Sequence, residues 1–295
     1  MALARRQLAV LAGLTLVWGL NWPVMKIGVT HYPPLTFRAL SMLLGLPVLG
    51  LALVLLRVPF TLPRAHWREL GSLAVGNMIV WHVLAILAVQ HLSSGRAAIL
   101  GYTMPVFSAL WGRWLYGDRL TVRQLLGVAA ASLGVALLLW HEAARLAGAP
   151  LAAALMLVAA TVWALGTQQL RRTRIAAPTL TLAFWMTAVT TGVMVILAAL
   201  FERDRWAPPS PVVMAATLYN AVLIFGYAHA AWFYLARTLP PVASTLSVML
   251  IPVLGTVSGA LWLGEQLHWQ DGAAAGLMVA AIASVLWPAR RQALA

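Results

Sequence analysis

Polar and aromatic side chains stand inside long apolar stretches of this sequence, where burial is costly unless they meet a partner or a water-filled cavity. The candidates for binding a solute are Trp18, Trp81, Trp163, Trp232, His82, His229, Tyr102 and Asn21. An apolar chamber lined by aromatic rings with a few polar groups suits a zwitterion with an apolar or aromatic side chain. We therefore predict that these eight residues line a substrate-binding cavity.

Each candidate also has a purely structural explanation. A neutral imidazole at His82 or His229 could serve only as a hydrogen-bond partner between helices, and Asn21 could serve as a packing contact. Each tryptophan taken alone could face lipid. Burial in an apolar span favours the uncharged form of both histidines, which leaves them able to bind a substrate without carrying protons.

Acidic residues are few, and they avoid the middle of the apolar stretches. All seven fall in loops or at predicted helix ends: Glu69, Asp118, Glu142, Glu202, Asp204, Glu265 and Asp271. Transporters driven by protons or sodium commonly place a carboxylate at mid-membrane, so this distribution favours facilitated transport down the substrate's own gradient.

The motifs that would indicate an enzyme are missing from the sequence. There is no cysteine, which excludes disulfides, thiolate metal sites and a cysteine nucleophile. There is also no Gly-x-Ser-x-Gly elbow, no glycine-rich phosphate loop and no paired histidines with a carboxylate. We predict no catalytic residues, no metal and no cofactor.

The composition is that of a membrane protein. Of the 295 residues 62% are hydrophobic and 9% are charged, against roughly 45–50% and about 25% in soluble domains. Spans of this kind should be helices, because a helix satisfies its own backbone in lipid. The predicted helices cover 8–27, 34–56, 68–90, 96–116, 122–140, 150–170, 178–201, 211–236, 242–263 and 272–288.

The basic residues indicate membrane orientation rather than nucleic-acid binding. The formal net charge is +13, but the arginines and lysine occur singly or in small groups between apolar runs. With a cytoplasmic N-terminus, fourteen of them fall on the inside and five on the outside, with Arg38 left at a helix start. This bias predicts an inner-membrane protein with both termini in the cytoplasm.

An internal repeat divides the predicted helices into two groups of five. The segment from Pro105 to Gly117 resembles the segment from Pro252 to Gly264 at an offset of 147 residues, and the same offset separates the two histidines. We predict two repeats, 1–145 and 146–295. Because five is odd, the second must be inverted, as in alternating-access transporters. Pro105 and Pro252 are predicted to lie mid-helix and to act as symmetric hinges.

These segments resemble a known family. Trp18-Gly-Leu-Asn-Trp22 followed by Lys26 looks like the first-helix motif of EamA-domain proteins in the drug/metabolite transporter superfamily. The two Pro…Gly-Asp/Glu-x-Leu blocks, ending at Leu120 and Leu267, are similar to the ends of its fourth and ninth helices, with Asp118 where glutamate is common. The resemblance implies a ten-helix exporter, most similar to the YddG-like amino-acid exporters.

Several alternatives stay open at the level of the sequence. Drug or nucleoside efflux suits an aromatic chamber. A nucleotide-sugar or sugar-phosphate carrier would need cations in the cavity, and only Lys26 and Arg38 qualify, both towards the outer end. A channel would show a continuous polar stripe along one helix, which is absent. We expect a monomer in the lipid bilayer that carries a small-molecule substrate.

Overall fold

The computed structural model describes residues 5–146, 150–239, 248–265, 267 and 269–286. Regular secondary structure in these ranges is entirely helical, as the apolar runs predict. The segments are α1 (Arg5–His31), α2 (Pro34–Leu55), α3 (Arg64–His91), α4a (Ser94–Gly101), α4b (Met104–Tyr116), α5 (Val122–Leu146), α6 (Pro150–Arg171), α7 (Thr179–Phe201), α8 (Pro211–Thr238), α9 (Leu250–Leu263) and α10 (Trp269–Leu286).

Six of these helices are long and apolar enough to cross a membrane: α1, α2, α3, α6, α7 and α8. Shorter apolar stretches lie in α5, α9 and α10. Most observed ends fall within a few residues of the predicted ones, because charge, glycine and proline punctuate the apolar runs. The predicted start of the ninth helix at 242 and the predicted end of the tenth at 288 lie outside the described residues.

The predicted helix 96–116 is interrupted, and neither of the two predicted hinge prolines lies in the middle of a helix. The chain leaves the helix at Tyr102 and Thr103, so Pro105 lies in the first turn of α4b rather than in mid-helix. Pro252 likewise lies in the first turn of α9. A proline is tolerated there because the first backbone N–H groups of a helix have no partner within the helix. That Pro105 and Pro252 act as hinges remains a prediction.

Two long helices contain wider π-helical turns that the sequence analysis did not anticipate. The π-helical stretches are Val75–Ile79 in α3 and Asn220–Ala228 in α8. Adding 147 to the first range gives 222–226, which lies inside the second. His82 and His229 follow these stretches closely in the chain. π-Helical turns occur often at functional sites because they re-aim the residues beside them.

Packing between the two halves of the chain follows the repeat. Helix α1 packs on α9, and α6, which is equivalent to α1 in the second repeat, packs on α4a and α4b. In the same way α3 packs on α6, and its equivalent α8 packs on α1. Helices α2 and α7 pack on each other, and so do α5 and α10. Each contact between the halves therefore has a counterpart at the equivalent place in the other repeat.

Polar contacts at the helix ends give the directions of the helices. At one end of the bundle, Glu202 after α7 accepts hydrogen bonds from Leu35 N at 3.1 Å and from Thr36 N and Oγ1 at 2.7 Å each. Glu265 after α9 accepts from Ser94 N and Oγ at 2.9 and 2.8 Å. The ends of α7 and α9 therefore lie beside the beginnings of α2 and α4a.

The opposite end of the bundle is held by a second set of contacts. Arg172 after α6 pairs with Asp118 after α4b at 2.8 Å. Arg171 donates to the carbonyl of Leu239, and Gln7 at the start of α1 donates to Thr238 at 3.5 Å. The beginning of α1 and the end of α6 thus share one face. The first helices of the two halves run in opposite directions.

Candidate substrate-binding site

A small cavity lies in the middle of the bundle, between the two halves. Its volume is about 30 Å³, which is room for about one water molecule. Its lining comes from α1, α2, α3, the break between α4a and α4b, α4b itself, α6 and α8: Trp18, Asn21, Trp22, Met25, Arg38, Trp81, His82, Tyr102, Met104, Trp163, Ile224 and His229. The free space at this site is therefore small, and contacts between the halves lie at both ends of the bundle.

Trp163 lies at the centre of an aromatic cluster. Its ring is 4.2 Å from the ring of Trp81 and 5.4 Å from that of Trp18, both edge to face. It also stacks on His229 at 6.3 Å and meets Trp232 at 6.2 Å. Edge-to-face aromatic pairs add roughly 0.5–1.5 kcal/mol each beyond the apolar area that they bury. One residue of α6 therefore joins rings from α1, α3 and α8.

The two histidines, which occupy equivalent positions in the two repeats, form a hydrogen-bonded pair. His82 Nε2 lies 3.2 Å from His229 Nε2, and His229 Nδ1 lies 2.9 Å from the carbonyl oxygen of Ile224. Because a carbonyl only accepts, His229 Nδ1 must donate, and in a neutral ring its Nε2 accepts from His82. His82 Nδ1 then carries a free lone pair, and no described group donates to it.

Four lining residues present buried polar atoms without a partner in the described parts of the chain. Asn21 Oδ1 and His82 Nδ1 are acceptors, whereas Arg38 Nε and Trp163 Nε1 are donors. Buried polar atoms are nearly always hydrogen-bonded, and leaving one unpaired costs about 1–3 kcal/mol. The cavity thus offers both kinds of hydrogen-bonding atom to an occupant. Among the described residues, no group of three or more histidines and acids stands close enough to hold a metal ion.

The structure brings the eight predicted site residues together. Seven of them line the cavity. The exception is Trp232, which is fully buried behind it and packs on Trp18 at 5.6 Å and on Trp163. Asn77, by contrast, is a packing residue, since it donates to the carbonyl of Gly166 across the contact between α3 and α6 at 3.0 Å. That these eight residues contact substrate stays a prediction.

Sequence reasoning missed two kinds of lining residue. Trp22 and Met25 share the face of α1 that carries Trp18 and Asn21, at helical spacings of three, four and seven residues. That periodicity could have found them. Arg38 was expected near the outer end, but its side chain is 2% exposed and reaches the cavity. A charged residue within an apolar helix is itself the signal for such a site.

The family follows from a comparison with known proteins. The model of the EamA-like transporter family matches this chain twice, at residues 7–140 and 150–287. The chain belongs to the EamA-like transporter family. Transport across a membrane is therefore its role. The two matched ranges correspond to the two halves whose packing repeats in the structure, and the EamA architecture is a two-repeat membrane fold.

Relatives of this EamA transporter include bacterial inner-membrane proteins. It is 30% identical over 300 residues to the uncharacterized inner membrane transporter YedA of Escherichia coli K12, covering 97% of this chain and 95% of the relative. It is 27% identical over 283 residues to a probable amino-acid metabolite efflux pump of Salmonella typhimurium, covering 91% of each. One crystal structure, 19% identical, superposes with a TM-score of 0.75 and covers 95% of this chain and 96% of its own, which shows the shared fold.

Proposed function

We propose that this EamA transporter exports small metabolites, most directly amino acids with apolar or aromatic side chains. In this proposal the chain crosses the membrane ten times, as two inverted five-helix repeats at 1–145 and 146–295. The repeats alternate between opening on one face and on the other, and the central cavity is the substrate site. Both groups of contacts at the helix ends would have to open in turn.

One observation carries the proposal: the residues that line this aromatic cavity include two acceptors and two donors that have no partner in the described parts of the chain. The ammonium group of an amino acid donates and its carboxylate accepts, so the acceptors Asn21 and His82 and the donors Arg38 and Trp163 complement a zwitterion. The tryptophan rings complement an apolar or aromatic side chain. The Salmonella relative's description as a probable amino-acid metabolite efflux pump agrees with this assignment.

The runner-up substrates fit the site less well. A sugar phosphate or nucleotide sugar carries at least two negative charges at neutral pH, whereas Arg38 is the one cationic residue among the described cavity-lining residues. Lys26 is engaged elsewhere, because its ammonium donates to the carbonyls of Val89 and Gln90 at 3.1 and 3.0 Å. Nucleosides and apolar drugs would leave the guanidinium of Arg38 without a counter-charge.

Purified protein in liposomes tests the substrate class and the mode of transport together. We expect exchange of labelled L-phenylalanine, L-tryptophan and L-leucine, and at most about a tenth of that rate for nucleosides and sugar phosphates. With equal substrate on both sides, a pH difference of two units or a sodium gradient should produce no net accumulation. The reason is that no described acidic side chain lines the cavity, where an ion-coupled carrier commonly has one.

Two controls measure leakage. One is protein-free liposomes, and the other is the variant Asn21→Trp, whose larger side chain should fill the cavity and block transport. Faster exchange of nucleosides or sugar phosphates than of any amino acid would overturn the proposed substrate class. Concentrative uptake under either gradient would overturn facilitation alone. Loss of that uptake in His82→Gln or His229→Gln would then identify the coupling group.

The orientation we propose places both termini in the cytoplasm of a cell with an inner membrane. The loops between α2 and α3 and between α7 and α8 are exposed at opposite ends of the bundle. The natural sequence contains no cysteine, so Thr61→Cys and Pro208→Cys need no background substitutions. A membrane-impermeant maleimide should label Pro208→Cys in intact cells and Thr61→Cys only after permeabilisation. The reverse pattern would contradict the orientation.

A further inference from the structure

The cationic side chain of Arg38 is buried, and no counter-charge lies beside it among the described residues. Its guanidinium lies beside the cavity, with the side chain 2% exposed. Nη1 donates to Asn220 Oδ1 at 3.2 Å and Nη2 to the sulfur of Met25 at 2.7 Å, while Nε has no partner in the part of the chain that the structure describes. The ring of Phe225 lies 5.6 Å from the guanidinium carbon. An amide, a thioether and a ring face are all neutral, and burying a charge is costly unless an opposite charge pairs with it.

Four of the acidic side chains that the structure describes are committed elsewhere, and a fifth, Asp204, is exposed beyond the end of α7. Glu202 and Glu265 accept from backbone and hydroxyl groups at the beginnings of α2 and α4a. Asp118 pairs with Arg172, and Glu69 accepts from Thr173. None of them forms an ion pair with Arg38. The charge that balances this guanidinium must therefore come from outside the described part of the chain, and the cavity beside it is the place where a substrate would bring one.

We propose that Arg38 binds the carboxylate of the substrate, and that this carboxylate is the group the site requires. The inference rests on the proposed function and deepens it. A planar guanidinium matches two carboxylate oxygens with two parallel N–H groups. Thioether sulfur is a weak acceptor, so a carboxylate oxygen displaces Met25 from Nη2 at little cost.

The ammonium group of an amino acid meets a different environment in the same cavity. No described lining residue is acidic, so the ammonium has the neutral acceptors Asn21 Oδ1 and His82 Nδ1 and the faces of aromatic rings. The carboxylate, by contrast, meets the opposite charge of Arg38 and can pair with it through two parallel hydrogen bonds, which adds both energy and geometric specificity. Monoanionic carboxylic acids that lack the amine therefore belong to the substrate class, whereas amines that lack the carboxylate do not.

Binding of four related probes to the purified full-length protein tests this assignment by calorimetry. The probes are L-phenylalanine, 3-phenylpropionate without the amine, phenethylamine without the carboxylate, and L-phenylalaninamide with a neutral amide in its place. We expect 3-phenylpropionate to bind within about tenfold of L-phenylalanine. Phenethylamine and L-phenylalaninamide should bind at least about 30-fold more weakly, since each loses the charge-assisted pair with Arg38. Arg38→Gln should remove this preference for a carboxylate.

A matched pair of variants keeps the test decisive if Arg38→Gln fails to fold. Met25→Glu places a carboxylate of the chain itself beside Nη2, whereas Met25→Gln supplies a neutral acceptor of the same length. We expect Met25→Glu to fold and to bind L-phenylalanine at least about 30-fold more weakly. Met25→Gln should keep the ratio between L-phenylalanine and its amide.

Three outcomes separate this assignment from the proposed function. Exchange of amino acids in liposomes, together with a carboxylate preference that survives in folded Arg38→Gln or in Met25→Glu, would overturn the role of Arg38 alone. Exchange of another anionic solute, lost in Arg38→Gln, would overturn the amino-acid substrate and support anion binding by Arg38. Selective exchange of uncharged solutes would overturn both.

Discussion

Replacing Gly166 with alanine is expected to lower the unfolding temperature of the protein by roughly 10 °C and to reduce the yield of folded protein. Gly166 lies where α6 touches the π-helical turn of α3. A Cβ atom built there would lie 2.6 Å from the carbonyl oxygen of Gly76 and 2.8 Å from the backbone nitrogen of Asn77. Real Cβ atoms do not approach other atoms so closely.

The cost is large because the obstructing atoms belong to the backbone. A side chain could rotate away, but here α3 and α6 must separate along their contact. That movement would also stretch the hydrogen bond from Asn77 Nδ2 to the carbonyl of Gly166, now 3.0 Å. Overpacking costs typically about 1–3 kcal/mol, and we expect the upper end of that range.

Gly192→Ala is the matched control for this substitution. Gly192 lies in the middle of α7, and a Cβ atom there would meet nothing within 4 Å. Alanine has the higher helix propensity, so this variant should unfold at the parent temperature or slightly above it. Thermal unfolding in detergent, followed beside gel filtration, compares the two variants. Equal unfolding temperatures for Gly166→Ala and the parent would show that α3 and α6 are not in backbone contact.

Much of the helical fold could be predicted from the sequence, since it depends on local chemistry. Apolar runs bounded by charge, glycine or proline placed the helices, and the left-handed residues Gly117 and Gly264, at φ of 66° and 70°, end α4b and α9 where the repeated motif placed them. Glycine adopts this conformation at little cost and is therefore a strong helix-ending signal.

The π-helical turns could not be predicted from local chemistry, whereas Pro105 accounts for the break before α4b, because it cannot donate to the carbonyl of Gly101. The helical pattern runs without interruption through Val75–Ile79 in the sequence, and the wider turn allows the close approach of Gly76 to Gly166 on another helix. Tertiary partners decide such features, and the sequence does not state which helices touch.

The type of a residue identified the members of the site better than its position along a helix did. Tryptophans and histidines in apolar helices were identified because each needs a reason to be there. Arg38 was assigned to the outer end because it is only the fifth residue of α2. Its long side chain extends away from its own backbone position, so the place of a residue along a helix does not fix where its charge lies.

The aromatic cluster leads to the second large expected effect: Trp163→Ala should reduce the rate of amino-acid exchange in liposomes by about 10–100-fold. Loss of the ring removes edge-to-face contacts with Trp81 and Trp18 and the stack on His229. Because these residues come from three other helices, the cavity loses both a wall and the contact that aligns its other walls. Replacing a large buried aromatic residue by alanine typically costs about 3–5 kcal/mol, so stability must be measured beside transport.

Two further variants separate the part that Trp163 plays in binding from its part in packing. Trp163→Phe keeps an aromatic ring but removes the unpartnered Nε1–H donor, so it should raise the substrate concentration for half-maximal exchange about 3–10-fold while the maximal rate changes less. Trp114→Ala removes a tryptophan that is 76% exposed on α4b, and exchange should stay within about twofold of the parent. Unchanged kinetics in folded Trp163→Ala would remove Trp163 from the substrate site. Equal losses of rate in Trp163→Ala and Trp163→Phe, with half-saturation unchanged in both, would instead assign it to the motion between closed and open states.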